Sequence, residues 1–236
     1  AYTGVGFRPD ALIGFGAVQS STVPGSSTGA SMNLGIYDGT DSRQIAVDSD
    51  DAVGTSATAR LNTSTFLGGT SATAIIEAAS VTSLDADGYT LNWSTATASA
   101  NYAWVLAIKG VRAKLITGDE PTTNTTVIRS VGFEAKGALT LTHMGVSSAS
   151  VQSDSRIGIG GWDASNNQAS SGAVDEDGQT TTDADRVQSS TKAITHIDHT
   201  QTTVGSCSIA ASGNDVIETW TSTDGTAREH TTLFLG

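Results

Sequence analysis

Asp87-Gly88-Tyr89-Thr90-Leu91-Asn92-Trp93 opens on a turn dipeptide and then alternates apolar and polar residues one by one. A period of two puts Tyr89, Leu91 and Trp93 on one side of an extended strand and Thr90 and Asn92 on the other. Asp-Gly tolerates the positive φ that tight hairpins need, so the residues just before it are read as a partner strand. The same pattern recurs outward along the chain. Met32, Leu34 and Ile36 alternate with Ser31, Asn33 and Gly35, and Ile157 and Ile159 alternate with Arg156 and Gly158. Tyr102 to Ile108 is apolar on both faces, the pattern of a central strand. Further Asp-Gly turns stand at 38–39, 177–178 and 224–225. No window sustains apolar residues at i, i+3, i+4 and i+7, and the expected class is all-β.

The chain also repeats itself. Val5-Gly6-Phe7 returns as Val131-Gly132-Phe133, and Leu34-Gly35-Ile36-Tyr37-Asp38 is echoed by Ile159-Gly160-Gly161-Trp162-Asp163. Val47-Asp48-Ser49-Asp50 is matched by Val174-Asp175-Glu176-Asp177; Arg60 maps onto Arg186, Trp93 onto Trp220 and Gly110 onto Gly236. Offsets that agree within a residue either way indicate duplication. The expectation is two tandem antiparallel β-sandwich modules, jelly-roll-like, at 1–110 and 111–236, the second a diverged copy. Phe7, Leu34, Trp93, Phe133, Ile159 and Trp220 are expected in the two cores. Val111 to Thr117 reads as an opening strand of the second module with no counterpart in the first. The first then either lacks an upstream stretch or takes that strand from another chain.

At 236 residues, the chain has room for two domains that bury their own cores. Its net charge of −12, from 12 Lys and Arg against 24 Asp and Glu, disfavours nucleic acid and anionic membranes, and no basic cluster offsets it. No apolar stretch reaches the ~20 residues of a membrane helix, and no signal peptide is visible. Cys207, the single cysteine, cannot form an internal disulfide and reads as a small buried apolar residue.

Chemistry-bearing patterns are sparse. Gly25-Ser26-Ser27-Thr28-Gly29 spells a nucleophile elbow, but within a Gly/Ser loop (Ser20 to Ala30) rather than between a strand and a helix. His196-x-x-His199 lacks both the spacing and the Glu of a zinc-protease helix, although Asp198 between the two makes a metal site conceivable. Asp85 and Asp87 flank a turn, where Asp is common on backbone grounds. The duplicated acidic runs are the remaining candidates. Asp48, Asp50 and Asp51, with Asp175, Glu176 and Asp177 followed by Asp183 and Asp185, supply the oxygen ligands a Ca²⁺ ion needs, without EF-hand spacing. The simpler expectation is a solvated acidic loop, paired with Arg60 or Arg186. No cofactor and no catalytic residue is expected. The sequons at Asn62, Asn92 and Asn124 arise by chance in so Thr/Ser-rich a chain.

Three stretches carry a family resemblance. These are Thr3-Gly4-Val5-Gly6-Phe7-Arg8-Pro9-Asp10-Ala11-Leu12-Ile13, the segment Ser83 to Trp93, and Ala107-Ile108-Lys109-Gly110. Together they resemble a β-sandwich module of structural proteins of tailed bacteriophages, across nearly all of the first module. The second departs from it, with Glu134-Ala135-Lys136 in place of Arg8-Pro9-Asp10 and Glu218 where Leu91 aligns. The resemblance implies a non-enzymatic virion protein, assembled in the host cytoplasm. A decoration or cement protein on the outer capsid is the first expectation, with the major capsid protein or other virion proteins as partners and homo-oligomers formed. A tail or fibre module binding receptor or glycan, with Trp162 and Tyr37 as a platform, is the alternative, and a secreted adhesin or surface-layer fragment a second.

Overall fold

The computed structural model describes residues 1–18, 30–50, 55–71, 73–96, 102–148, 150–181 and 183–236. Among these, all regular elements are strands. The first half supplies β1 (Tyr2–Thr3), β2 (Ala11–Val18), β3 (Ala30–Tyr37), β4 (Ser42–Asp50) and β5 (Ala57–Thr63). It continues with β6 (Leu67–Thr70), β7 (Ile75–Asp85), β8 (Gly88–Thr95) and β9 (Tyr102–Ile108). The second half begins with β10 (Ala113–Asp119), β11 (Thr126–Ser130), β12 (Gly137–Thr142), β13 (Gln152–Ser153) and β14 (Ser155–Asp163). Then follow β15 (Gln168–Asp175), β16 (Ala184–Ser189), β17 (Ile194–Ile197), β18 (Thr203–Ser212), β19 (Asp215–Thr223) and β20 (Glu229–Leu235).

The chain divides into two compact units. The first holds Ala1–Val111 together with Ser148–Ser155 and Glu176–Thr182, and the second holds the remainder. Those two later segments were expected in the second module, and backbone pairing explains where they go instead. Strand β13 extends the edge of β5, with Gln152 opposite Arg60 and Ser153 opposite Ala59. Ser56 donates its amide to the Gln179 carbonyl at 2.7 Å and accepts from Gly178 N at 2.9 Å.

Within the first unit, one antiparallel sheet runs β13-β5-β4-β3-β2-β9 and the other β1-β8-β7-β6. Strands β2 to β5 and β6 to β8 are meanders of consecutive neighbours, and the chain changes sheet after β1, β5 and β8, which sets β1 beside β8 and β9 beside β2. The core joins Leu12 and Tyr37 of the larger sheet to Leu67, Ala79 and Tyr89 of the smaller, with Phe66 between. Two carboxylates fasten the two ends of the segment Ala1–Val111 to this frame. Asp87 accepts the amides of Gly4 at 3.1 Å and Gly6 at 2.5 Å. Asp10 accepts the amide of Gly110 at 2.6 Å. The polar residues of the family-like stretches are thus backbone staples.

The second unit, taken by itself, has a sheet β10-β20-β12-β14-β15-β16 and a sheet β11-β19-β18-β17. Its core gathers Val131, Phe133, Trp162, Ile194, Cys207, Ile209, Val216, Trp220 and Phe234. Burial raises the Cys207 thiol far above its ordinary range, in keeping with an inert apolar role.

Several expectations about side chains need correction. Phe133 and Trp220 are buried, but Trp93 is 38% and Ile159 41% exposed. Phe7 and Leu34 are only half-buried. Leu34 sits on the opposite face of β3 from the buried Tyr37, because neighbouring parities of a strand face opposite ways. Trp162 and Tyr37 are core residues, the simpler of the two roles open to them, and so supply no exposed platform. Strand β9 was read as central because it is apolar throughout, yet it pairs only with β2 and forms an edge of its sheet. Its Trp104 is 63% and Leu106 60% exposed.

Candidate functional site

Of the calcium candidates, Asp48 lies buried near the end of β4, where burial first and Asp50 second push its carboxyl up to about 6. Asp50 is exposed at the strand's end. Asp177 accepts the Thr58 amide at 3.0 Å within the first unit, whereas Asp175 ends β15 in the second. Among the described residues no group of three or more His, Cys, Asp or Glu is placed to hold a metal. Arg60 pairs with Asp154 at 3.7 Å. Asp51 and the stretch Gly25 to Gly29 lie outside the described residues.

His196 and His199 do not form a pair either. His196 is fully buried in β17, while Asp198 beside it caps a turn by accepting the amides of Thr200 at 2.9 Å and Thr202 at 3.0 Å. The partners of His196 come from distant elements, which spacing could not reveal. Its Nδ1 lies 2.8 Å from Glu120 Oε2, and its Nε2 lies 3.0 Å from Thr142 Oγ1. Thr142 Oγ1 in turn donates to the Glu229 carbonyl at 3.0 Å and accepts the Met144 amide at 3.0 Å. Arg228 reaches Glu120 at 3.5 Å and clamps Asp224 through two contacts of 2.6 Å. The absence of a side chain at Gly205 makes the room, since a Cβ there would stand 2.5 Å from Glu120 Oε2.

Across the indole of Trp220 lies a second buried set. Its ring centre is 5.9 Å from that of His196 and 5.4 Å from that of His230. Glu218 takes His230 Nε2 at 3.2 Å on one oxygen and Arg129 Nε at 3.1 Å on the other. Burial pushes Glu218 up, but hydrogen bonding and the charges of His230 and Arg129 overcome it and hold the carboxyl below its usual range. Glu120 goes the other way. Burial raises it to about 7 against the pull of Arg228, and burial together with His230 and Arg228 depresses His196 well below the usual imidazole value.

The geometry admits two proton arrangements. With Glu120 protonated, its O–H donates to His196 Nδ1, Nε2–H donates to Thr142 Oγ1, and the Thr142 hydroxyl is left to donate to the Glu229 carbonyl. Ionising Glu120 forces the proton onto Nδ1, and the single hydroxyl hydrogen of Thr142 must then choose between His196 and Glu229. A hydroxyl–imidazole–carboxylate chain has the components of nucleophile activation. Here the side chains of Glu120 and His196 are completely buried, so the chain can pass a proton internally but meets no solvent. It holds β17, β20 and the Glu120 segment in register.

The comparisons with known proteins are brief. No family model matches the sequence, and no curated protein or solved structure is significantly similar to it.

Two surface features remain. A groove of about 630 Å³ in the second unit is lined by Leu139, Ile159, Ser170, Gln188 and Ser189, with no titratable side chain. Its openness accounts for the exposure of Ile159. In the first unit, Phe15 stacks on Trp104 with ring centres 5.9 Å apart, and with Leu106 they form an exposed apolar stripe over β2 and β9. Sequence reading missed both the stripe and the buried network. The signal for the network was present: Glu218 is an ionisable residue on an alternating strand, at the place where the sequence offsets align Leu91.

Proposed function

We propose that the chain is a duplicated, non-enzymatic structural protein of a tailed-phage virion, attached to the outer capsid. Duplication is supported by strand order. The neighbours β5-β4-β3-β2-β9 and β1-β8-β7-β6 in the first unit have the same sequence of connections as β16-β15-β14-β12-β20 and β11-β19-β18-β17 in the second. Irregularities match as well. A register shift precedes the Ala79–Trp93 pair in one and the Cys207–Trp220 pair in the other. A Cβ on Gly35 would lie 1.7 Å from the Phe66 carbonyl oxygen, and one on Gly160 would lie 1.8 Å from that of Ala193. Duplicated modules of this kind present one frame twice, and the second copy has diverged by acquiring the Glu218 and His196 networks.

The virion reading draws on the phage-like stretches of the first unit and on an absence of accessible chemistry among the described residues. The observation that carries it is the exposed Phe15–Trp104–Leu106 stripe. In a chain of net charge −12, this apolar surface favours attachment to another protein. Partners on this reading are the major capsid protein and further copies of the chain. Cryo-electron microscopy of intact particles, combined with quantitative mass spectrometry, tests it. Density on the shell exterior and a copy number that scales with the shell lattice are expected. Density confined to the tail, with a copy number to match, would support the receptor-binding alternative, for which Trp93 and Trp104 are the exposed aromatic candidates. Absence from purified particles would refute both.

A further inference from the structure

We infer that the free edge of β9 accepts an extended strand from a polypeptide other than a second copy of this chain, in the position that β10 fills on β20. The inference rests on reading the two units as copies of one module. In the second unit β20 is flanked on both sides, by β12 and by β10. Its counterpart β9 is flanked by β2 alone, and among the described residues no strand takes the other side. The consequence is visible residue by residue. Leu233, opposite Leu115 of β10, is fully buried, whereas Leu106 at the matching place in β9 is 60% exposed.

Proteins guard free sheet edges with charge, proline, bulges or short strands, because unpaired backbone groups template further pairing. The other edge strands of this chain follow that rule. Strands β1 and β13 have two residues each and β6 and β17 four; β10 carries Lys114 and Asp119, β11 carries Arg129, and β16 carries Asp185 and Arg186. Strand β9, Tyr-Ala-Trp-Val-Leu-Ala-Ile, has no charge, proline or glycine in its seven residues. It also pairs with β2 without a register shift. One long edge is thus left unguarded in a molecule that guards the rest.

The occupant's chemistry is read from β10 and its lead-in. Strand β10 is neutral, with Lys114 against Asp119, and its lead-in adds Arg112, within a chain of net charge −12. Leu115 is the residue that covers Leu233. The partner strand is therefore extended, apolar at the position over Leu106, and neutral or basic. Edge addition supplies affinity through main-chain hydrogen bonds and specificity through alternate side chains.

The test uses the full chain and a synthetic peptide with the sequence of residues 111–119, Val-Arg-Ala-Lys-Leu-Ile-Thr-Gly-Asp. Binding is followed by fluorescence anisotropy, and amide exchange of β9 is followed by mass spectrometry. Saturable binding that slows β9 exchange is expected, at least tenfold weaker in Leu106→Lys and in Leu106→Ser, and undetected for a scrambled peptide. Leu106→Ser removes the apolar contact without adding a charge, so it serves even if the lysine variant misfolds. No binding by a folded chain overturns the inference, as does binding that both variants leave unchanged. Sedimentation at twice the chain mass, abolished by Leu106→Lys, would make a second copy the occupant and also overturn it. Peptide capture needs no particle, so its failure and a failure of the virion reading are separate results.

Discussion

Glu120 Oε2 and His196 Nδ1 lie 2.8 Å apart with both side chains shut off from solvent, and their titrations oppose each other in sign. Glu120, raised to about 7 from an ordinary 4.5, holds its proton better folded than unfolded, so its contribution is fully present below about pH 4.5 and is lost as pH rises toward 7. His196, depressed in the fold, contributes stability above its unfolded value near 6.5 that is lost as pH falls below it. Between roughly pH 4.5 and 6.5 the two slopes cancel. Urea titrations should therefore show a plateau there and a decline above it. Glu120→Gln should remove the decline, and an unchanged decline in that variant would assign it to other groups.

Glu218 is buried between Arg129 and His230. Removing one member of a buried ionic set strands the others, at a typical cost of about 3–5 kcal/mol. Glu218→Ala should lose that much in equilibrium unfolding. Glu218→Leu, which restores the apolar residue of the first unit, should also be destabilised, because Arg129 and His230 keep their polar groups without the carboxylate.

The four tryptophans divide evenly. Trp162 and Trp220 are 4% and 2% exposed, while Trp93 and Trp104 are 38% and 63% exposed. Acrylamide quenching should separate two accessible from two protected emitters. Trp220→Ala should cost ~3–5 kcal/mol, as truncating a core aromatic does, and Trp93→Ala clearly less. Equal losses in the two variants would contradict the burial difference.

A Cβ on Gly35 would stand 1.7 Å from the Phe66 carbonyl oxygen, and one on Gly160 1.8 Å from that of Ala193. The obstacle is backbone and cannot swing aside. Gly35→Ala and Gly160→Ala should each lower the melting temperature by several degrees or prevent folding, on the scale of overpacking, about 1–3 kcal/mol or more. Gly137→Ala, where the nearest atom stands 3.5 Å away, is the control and should be mild.

Local rules carried much of the structure. Alternation in Tyr89 to Trp93 and in Ser31 to Ile36, together with the Asp-Gly turns, determined that the chain is all-β, because side-chain parity and positive-φ turns are properties of a few adjacent residues. All four Asp-Gly glycines do have positive φ. The internal offsets aligned Gly35 with Gly160 and Trp93 with Trp220. What depended on the tertiary structure was decided by neighbours far along the chain. Apolar content alone could not tell that β9 is an edge, because edge or centre depends on whether a strand such as β10 arrives beside it. Parity could not tell which face of a strand is the core, so Leu34 and Ile159 fell on the wrong side. The Glu120–His196–Thr142 chain joins residues 54 and 76 positions apart, a proximity that no local pattern encodes and that only the packing of sheet on sheet brings about.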